Sequence, residues 1–198
     1  TETTGAVVNL APDDHDASGP KRHRLRSCGL PGPGVEIRVA GDEGADCEVG
    51  EVGEIWIRSA QVMKGYWKQP EETEKAITAD GWFKSGDAGY LDADGYLYIH
   101  DRVKDMIVSG GENVYPAEVE NVLMAHPGIS DVAVIGVPHE KWGETAKAVV
   151  VRAPESQLSE AEVIAYAREH LATFKCPTSV DWIDVLPRNP SGKVLKKD

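Results

Sequence analysis

Apolar and polar residues alternate along the first half of the chain in short stretches, the pattern of half-buried strands. VEIRVA at 35–40 and GEIWIRS at 53–59 both alternate, the second placing Ile55 and Ile57 on one face and Trp56 on the other. YLDADGYLYIHD predicts a hairpin turned at Asp94-Gly95, with Tyr96 and Tyr98 alternating with Leu97 and Ile99. PEETEKAI at 70–77 predicts a short helix started by Pro70. Residues 11–34, rich in Pro, Gly and charge, predict an extended loop, and GDEGADCEVGEVG a turn-rich connection. The first half thus reads as a small, barrel-like layer of about five strands.

The period changes after Asp101. Val119, Val122 and Leu123 share one face of a helix beginning at Pro116. Ser159 and Glu162 form a capping box for the helix SEAEVIAYAREHL. Strands are expected at 131–137, 146–152 and 180–185. Helices interleaved with a three-stranded sheet make a compact α+β unit, and α+β is the expected class of the whole chain. The expected division is a β-rich part over 1–101, a hinge at 102–105 and an α+β domain over 106–198. No internal repeat or low-complexity tract interrupts this.

Composition narrows the partners. The net charge of −12 repels phosphate backbones and anionic membranes, so a nucleic-acid partner is not expected. A nucleotide or coenzyme A would need local cations, and Arg102, Lys104, Lys141, Lys175, Lys193, Lys196 and Lys197 are the candidates. Cys28, Cys47 and Cys176 are far apart with no CxxC, which argues against a zinc or redox motif and fits a reducing compartment. The six histidines lack metal-ligand spacing. No apolar run approaches the ~20 residues of a membrane span. The chain opens on Thr1 rather than a methionine, so its natural start is expected elsewhere. Trp56, Trp67, Trp82 and Trp182 read as packing residues.

A few residues carry candidate chemistry. Asp87, flanked by glycines in SGDAG, reads as a turn carboxylate able to accept two hydrogen bonds from a vicinal diol; a plain turn aspartate is the alternative. Arg102 offers a planar set of donors, or else a surface ion pair with Asp101 or Asp105. Gly110 and Gly111 permit positive φ and close approach of backbone to a ligand, and equally a strand-to-helix turn. Lys193, in a Pro/Gly-rich loop, is a mobile point charge suited to developing negative charge, or one of a basic tail with Lys196 and Lys197. Lys141-Trp142-Gly143-Glu144 reads as structural.

The stretch GWFKSGDAGYLDADGYLYIHDRVKDMIVSGGENVYPAEVE at 81–120, with PRNPSGK at 187–193 and TETTG at 1–5, resembles the adenylate-forming superfamily. Within it the chain looks most like the fatty acyl-CoA synthetases, because SGGENVYPAEVE is closer to CoA ligases than to the adenylation domains of peptide synthetases. The resemblance implies ATP, Mg2+ and CoA as cofactor and co-substrates. It implies that Asp87 binds the ribose hydroxyls of ATP, that Arg102 and Ile99 of the YxxIxDR motif join the nucleotide site, and that Thr1 contacts phosphate. It further implies Glu2 as a Mg2+ ligand, Lys104 as the hinge between two half-reactions, Gly110 and Gly111 as the pantetheine-facing loop, and Lys193 as the adenylation lysine. The chain corresponds to the last part of such an enzyme. The Ser/Thr/Gly-rich phosphate loop and the acyl pocket are expected in a preceding part of the same protein, so adenylation is not expected of this chain alone. A fatty acid is the expected substrate, with aryl acids open. Loading of a carrier protein and a non-catalytic interaction module are the alternatives. The expected location is cytoplasmic, with peripheral membrane association as a variant.

Overall fold

The computed structural model describes residues 1–41 and 44–196; Lys197 and part of the turn-rich segment after Ala40 lie outside them. The chain divides into two compact units, Thr1–Val103 and Lys104–Asp198. The class is α+β, with three α-helices among the described residues.

The first unit contains β1 (Val8–Asn9), β2 (Leu30–Pro31), β3 (Val35–Ala40), β4 (Gly53–Ser59), α1 (Pro70–Ala76), β5 (Phe83–Leu91) and β6 (Leu97–Arg102). Among the described residues β1 and β2 form a short antiparallel ribbon, and β3-β4-β5-β6 an antiparallel meander. Side chains of a strand alternate between faces, and β4 sorts accordingly. Ile55 and Ile57 join Phe83 and Leu97 in a core that also takes Val7, Val8, Val35 and Met63. Trp56 lies on the other face with Trp82. There the guanidinium of Arg38 stacks 4.4 Å from the Trp56 ring, and that of Arg58 4.5 Å from the Trp82 ring. The cations roof the indoles on this sheet face.

Three expectations are corrected here. Residues 11–34 are not simply extended: they contain two 3-10 turns, Pro12–Asp14 and Arg22–Arg26, and strand β2. A buried carboxylate ties them down. Asp14 accepts 2.7 Å from the Tyr96 hydroxyl and 2.8 Å from Arg24 Nη1, whose Nη2 reaches Asp94 at 2.9 Å. Asp87 is not in a turn but inside β5. Trp67 is not a packing residue, being 84% exposed.

The second unit contains β7 (Ile107–Ser109), β8 (Glu112–Val114), α2 (Pro116–Met124), β9 (Ile129–His139), β10 (Gly143–Arg152), α3 (Glu160–His170) and β11 (Ser179–Trp182). The three expected strands are present as β9, β10 and β11, but the described sheet has five. The added pair is the β7–β8 hairpin, joined to β10 at Ser109 opposite Gly143. β10 is central, antiparallel to β9 and parallel to β11. The core formed by Val119, Leu123, Val134, Val150, Val163 and Ala167 is fully buried where both long helices meet the sheet. α3 begins with the expected capping box, in which Ser159 N–H donates to Glu162 Oε2 at 2.9 Å. Among the described residues no helix is long and apolar enough to cross a membrane.

Candidate functional site

The site in the first unit is built on a bend in β5. Gly86 adopts φ +71°, a left-handed conformation that a side chain would strain. Two residues on, the register shifts between Ala88 and Gly89 as a bulge, and a Cβ on Gly89 would come within 2.2 Å of the Tyr98 carbonyl oxygen. Glu54 of β4 fixes the bend from behind, accepting from Gly86 N–H at 3.0 Å and from the Trp56 indole at 2.8 Å. Neither the bulge nor the role of Glu54 was legible from spacing. The glycine pair looked like a turn because a bulge uses the same residues.

Asp87 is thereby set opposite Arg102 on β6. Asp87 Oδ1 lies 3.1 Å from Arg102 Nη1, which also donates to the Ser85 carbonyl at 3.2 Å. Both side chains remain about one-third to two-fifths exposed, at 34% and 42%. The guanidinium of Arg102 thus pairs with Asp87, while its backbone N–H donates to Asp101 Oδ1 at 2.7 Å.

This pair borders a cavity of about 440 Å3 within the first unit. Ile55, Ile57, Phe83 and Leu97 line it on the apolar side; Thr1, Glu2, Ser85, Asp87 and Arg102 line the polar side. Ile99, 52% exposed, completes the wall. Five of the residues singled out in the sequence (Thr1, Glu2, Asp87, Ile99 and Arg102) therefore share one cavity. The segment carrying Thr1 and Glu2 is held there by two bonds: Met63 N–H donates to the Glu2 carbonyl at 2.7 Å, and the Thr4 hydroxyl to the Gln61 carbonyl at 2.9 Å. The Tyr66 hydroxyl lies 3.4 Å from Glu2 Oε1, and burial together with that carboxylate raises its pKa. Cys28 also lines the cavity, and burial pushes its thiol up, so it is a poor nucleophile at neutral pH.

The donor set fits a nucleoside and its metal. A ribose diol needs an accessible carboxylate acceptor beside a fixed donor, and Asp87 with Arg102 supplies both. Cavities of 300–1,000 Å3 with an apolar wall and a few convergent polar groups suit small molecules. Among the described residues there is no cluster of three or more metal-ligating side chains. A single carboxylate, Glu2, is still compatible with Mg2+, which keeps most of its waters and binds through one or two carboxylates plus substrate phosphates.

The remaining candidates lie on the second unit or at its start. Lys104 is exposed in the 3-10 turn Val103–Asp105. Gly110 and Gly111 make the β7–β8 turn with φ +62° and +89°. A Cβ on Gly110 would approach Trp142 Cε3 to 2.7 Å, and Gly110 N–H donates to the Trp142 carbonyl at 2.9 Å. Trp142, read from sequence as structural, is 44% exposed and lines a second cavity of about 420 Å3 with Gly110, Thr145, Arg168, Phe174 and Cys176. An indole set between Lys141 and Gly143 just past a strand, with no apolar neighbour to pack on, was the one hint. Lys193 sits on a separate terminal hairpin, exposed, its ammonium without an ion pair among the described residues.

Comparison with known proteins gives the family. Residues 1–67 match the AMP-binding enzyme family and residues 118–193 the AMP-binding enzyme C-terminal domain. The chain belongs to this adenylate-forming family. It is 50% identical over 199 residues to a long-chain-fatty-acid–CoA ligase of Mycobacterium tuberculosis, covering 99% of this chain and 37% of the relative. It is 44% identical over 198 residues to a fatty acid–acyl-carrier-protein ligase of Streptomyces coeruleorubidus, covering 100% of this chain and 37% of the relative. The o-succinylbenzoate CoA synthetase of Bacillus subtilis, solved with its acyl-adenylate intermediate, superimposes with a TM-score of 0.89 at 40% identity, over 100% of this chain and 39% of that one. The same enzyme has been solved with ATP and a magnesium ion. The chain spans little more than a third of the length of the curated relatives it matches.

Proposed function

We propose that this chain is the C-terminal part of an ATP-dependent acyl-CoA ligase acting on a fatty acid. The observation that carries the reading is the Asp87–Arg102 pair at the edge of a cavity that also holds Thr1 and Glu2. The 50% identity to a long-chain-fatty-acid–CoA ligase supports the fatty acid, while the o-succinylbenzoate enzyme among the neighbours keeps other carboxylic acids in the test.

In the first half-reaction a carboxylate oxygen attacks the α-phosphorus of ATP. The bond to the bridging oxygen breaks, and pyrophosphate leaves. Asp87 accepts from the ribose hydroxyls and Arg102 holds the carboxylate in place, fixing the nucleoside. Glu2 would hold Mg2+, which neutralises phosphate charge when bound. Lys193 places a positive charge where the transition state gathers negative charge. In the second half-reaction the CoA thiolate attacks the acyl carbon, and AMP leaves with the electron pair of the broken C–O bond. Gly110 and Gly111 serve this step, because a loop without side chains lets the thin pantetheine arm pass close to backbone. Lys104, first residue of the second unit, is the hinge at which the two steps exchange. The acyl pocket and the phosphate loop belong to the preceding part of the protein, so this chain alone is inactive. A cytoplasmic location accords with ATP and CoA as substrates.

A carrier-protein thiol in place of CoA is the second reading, favoured by the 44% identity to a fatty acid–acyl-carrier-protein ligase. The distinguishing assay follows AMP release by the full-length protein on acids from acetate to long-chain and aryl. Release that requires CoA establishes the ligase and names its acid. Acyl-adenylate formation without response to CoA assigns carrier loading, and no ATP consumption with any acid overturns both.

A further inference from the structure

Lys193 is presented by a hairpin with a well-defined interior. The stem closes through a bridge between Arg188 and Val194, and Leu195 N–H donates to the Pro187 carbonyl at 2.9 Å. At the tip, Asn189 Oδ1 accepts from Ser191 N–H, the Ser191 hydroxyl and Lys193 N–H at 3.1, 2.7 and 2.9 Å. These bonds set the shape of the turn but not its place on the second unit.

Two ion pairs set the place, one from each side of the stem. Arg188 Nη2 lies 2.6 Å from Asp131 Oδ2, while its Nη1 donates to the Gly192 carbonyl at 2.9 Å. One guanidinium thus grips β9 and the turn together. Lys196 Nζ lies 2.8 Å from Glu120 Oε1, and the same oxygen accepts from Val134 N–H at 2.7 Å. Asp131 and Val134 are both on β9, which among the described residues has β10 on one side and no strand on the other. Both pins therefore converge on the free edge of β9.

We propose that Arg188 and Lys196, through Asp131 and Glu120, are positioning residues that hold the Lys193 hairpin on β9 and so fix the ammonium for adenylate formation. The proposal rests on the catalytic reading of Lys193. Its physical basis is that preorganised charge stabilises a transition state only when it need not be reorganised during reaction, and a lysine on a four-carbon stem inherits every movement of its base. Partly exposed ion pairs add little to folding stability, so loss of these pins separates from unfolding.

The test uses Arg188→Gln and Asp131→Asn in the full-length ligase, with the half-reactions measured separately. Pyrophosphate exchange reports adenylate formation; supplied acyl-adenylate plus CoA reports thioester formation. The expected result is a roughly tenfold lower kcat for adenylate formation with KM for ATP and thioester formation unchanged. The double variant should be no worse than the weaker single, and Asp131→Glu should recover most of the loss. Equal losses in both half-reactions, or no loss in either while Lys193→Ala still abolishes adenylate formation, would overturn the proposal. Unchanged adenylate formation in Lys193→Ala would remove the reading of Lys193 itself, and the positioning role with it.

Discussion

Asp87 and Arg102 face each other across β5 and β6, carboxylate to guanidinium at 3.1 Å, on a strand bent by Gly86 and by the bulge at Gly89. Each lines the cavity, and each orients the other. The proposed recognition of the ribose diol rests on this pair. Asp87→Asn keeps the shape but loses the charged acceptor. Charge-assisted hydrogen bonds are worth about 1.5–3 kcal/mol, so KM for ATP should rise by roughly 10- to 100-fold in the full-length protein. Titration calorimetry with AMP checks the same change, and unaltered affinity would contradict the ribose assignment.

Gly110 is the second sensitive point. Valine there meets both the left-handed backbone and the Trp142 ring at 2.7 Å. Gly110→Val should slow thioester formation by at least about tenfold while leaving adenylate formation near wild type. Gly111, with a similar backbone but open space where its Cβ would stand, should be less affected by Ala. Single-turnover assays of each half-reaction provide the comparison.

Much of this was legible in local pattern. The alternation of GEIWIRS placed Ile55 and Ile57 opposite Trp56, and Ser159 with Glu162 marked the start of α3 within a residue. What escaped depends on contacts distant in sequence. The β7 and β8 strands are three residues each and are recognisable only through pairing with each other and with Gly143. The partner of Arg102 is determined by hairpin register, which the Asp94-Gly95 turn does not specify through a bulge five residues away. Trp67 looked like a packing residue because an indole is usually well buried, and only the folded surface shows it exposed. The motif residues of the candidate site were found by resemblance; Glu54, Arg188 and Asp131, which orient them, are polar residues on strands or loops with no local signature.

Lys104 offers a test of the hinge. Proline at that position fixes φ and removes the N–H, so one of two backbone states should be lost. Lys104→Pro should block one half-reaction and spare the other. Normal overall turnover removes the hinge assignment.

Asp14 contributes to the acid behaviour of the first unit. The Tyr96 hydroxyl, followed by Arg24, holds its carboxyl below the usual aspartate value. A depressed folded-state pKa contributes stability that is present above the unfolded value and lost as pH falls through the folded one. The first unit should therefore weaken below about pH 4, and Asp14→Asn should be less stable at neutral pH with a shallower acid limb. Urea unfolding at pH 3 and pH 7, followed by tryptophan fluorescence, measures both; parallel acid limbs in the two proteins would contradict the role of Asp14.

The central claim is that this chain completes an enzyme that joins a carboxylate to AMP before a thiol displaces it. Oxygen isotope transfer tests it most directly. A fatty acid labelled with 18O in its carboxylate is incubated with ATP, Mg2+, CoA and the full-length protein, and the products are read by mass spectrometry. One labelled oxygen should appear in AMP and none in pyrophosphate. Label in pyrophosphate or inorganic phosphate, or thioester formed with unlabelled AMP, would contradict the account.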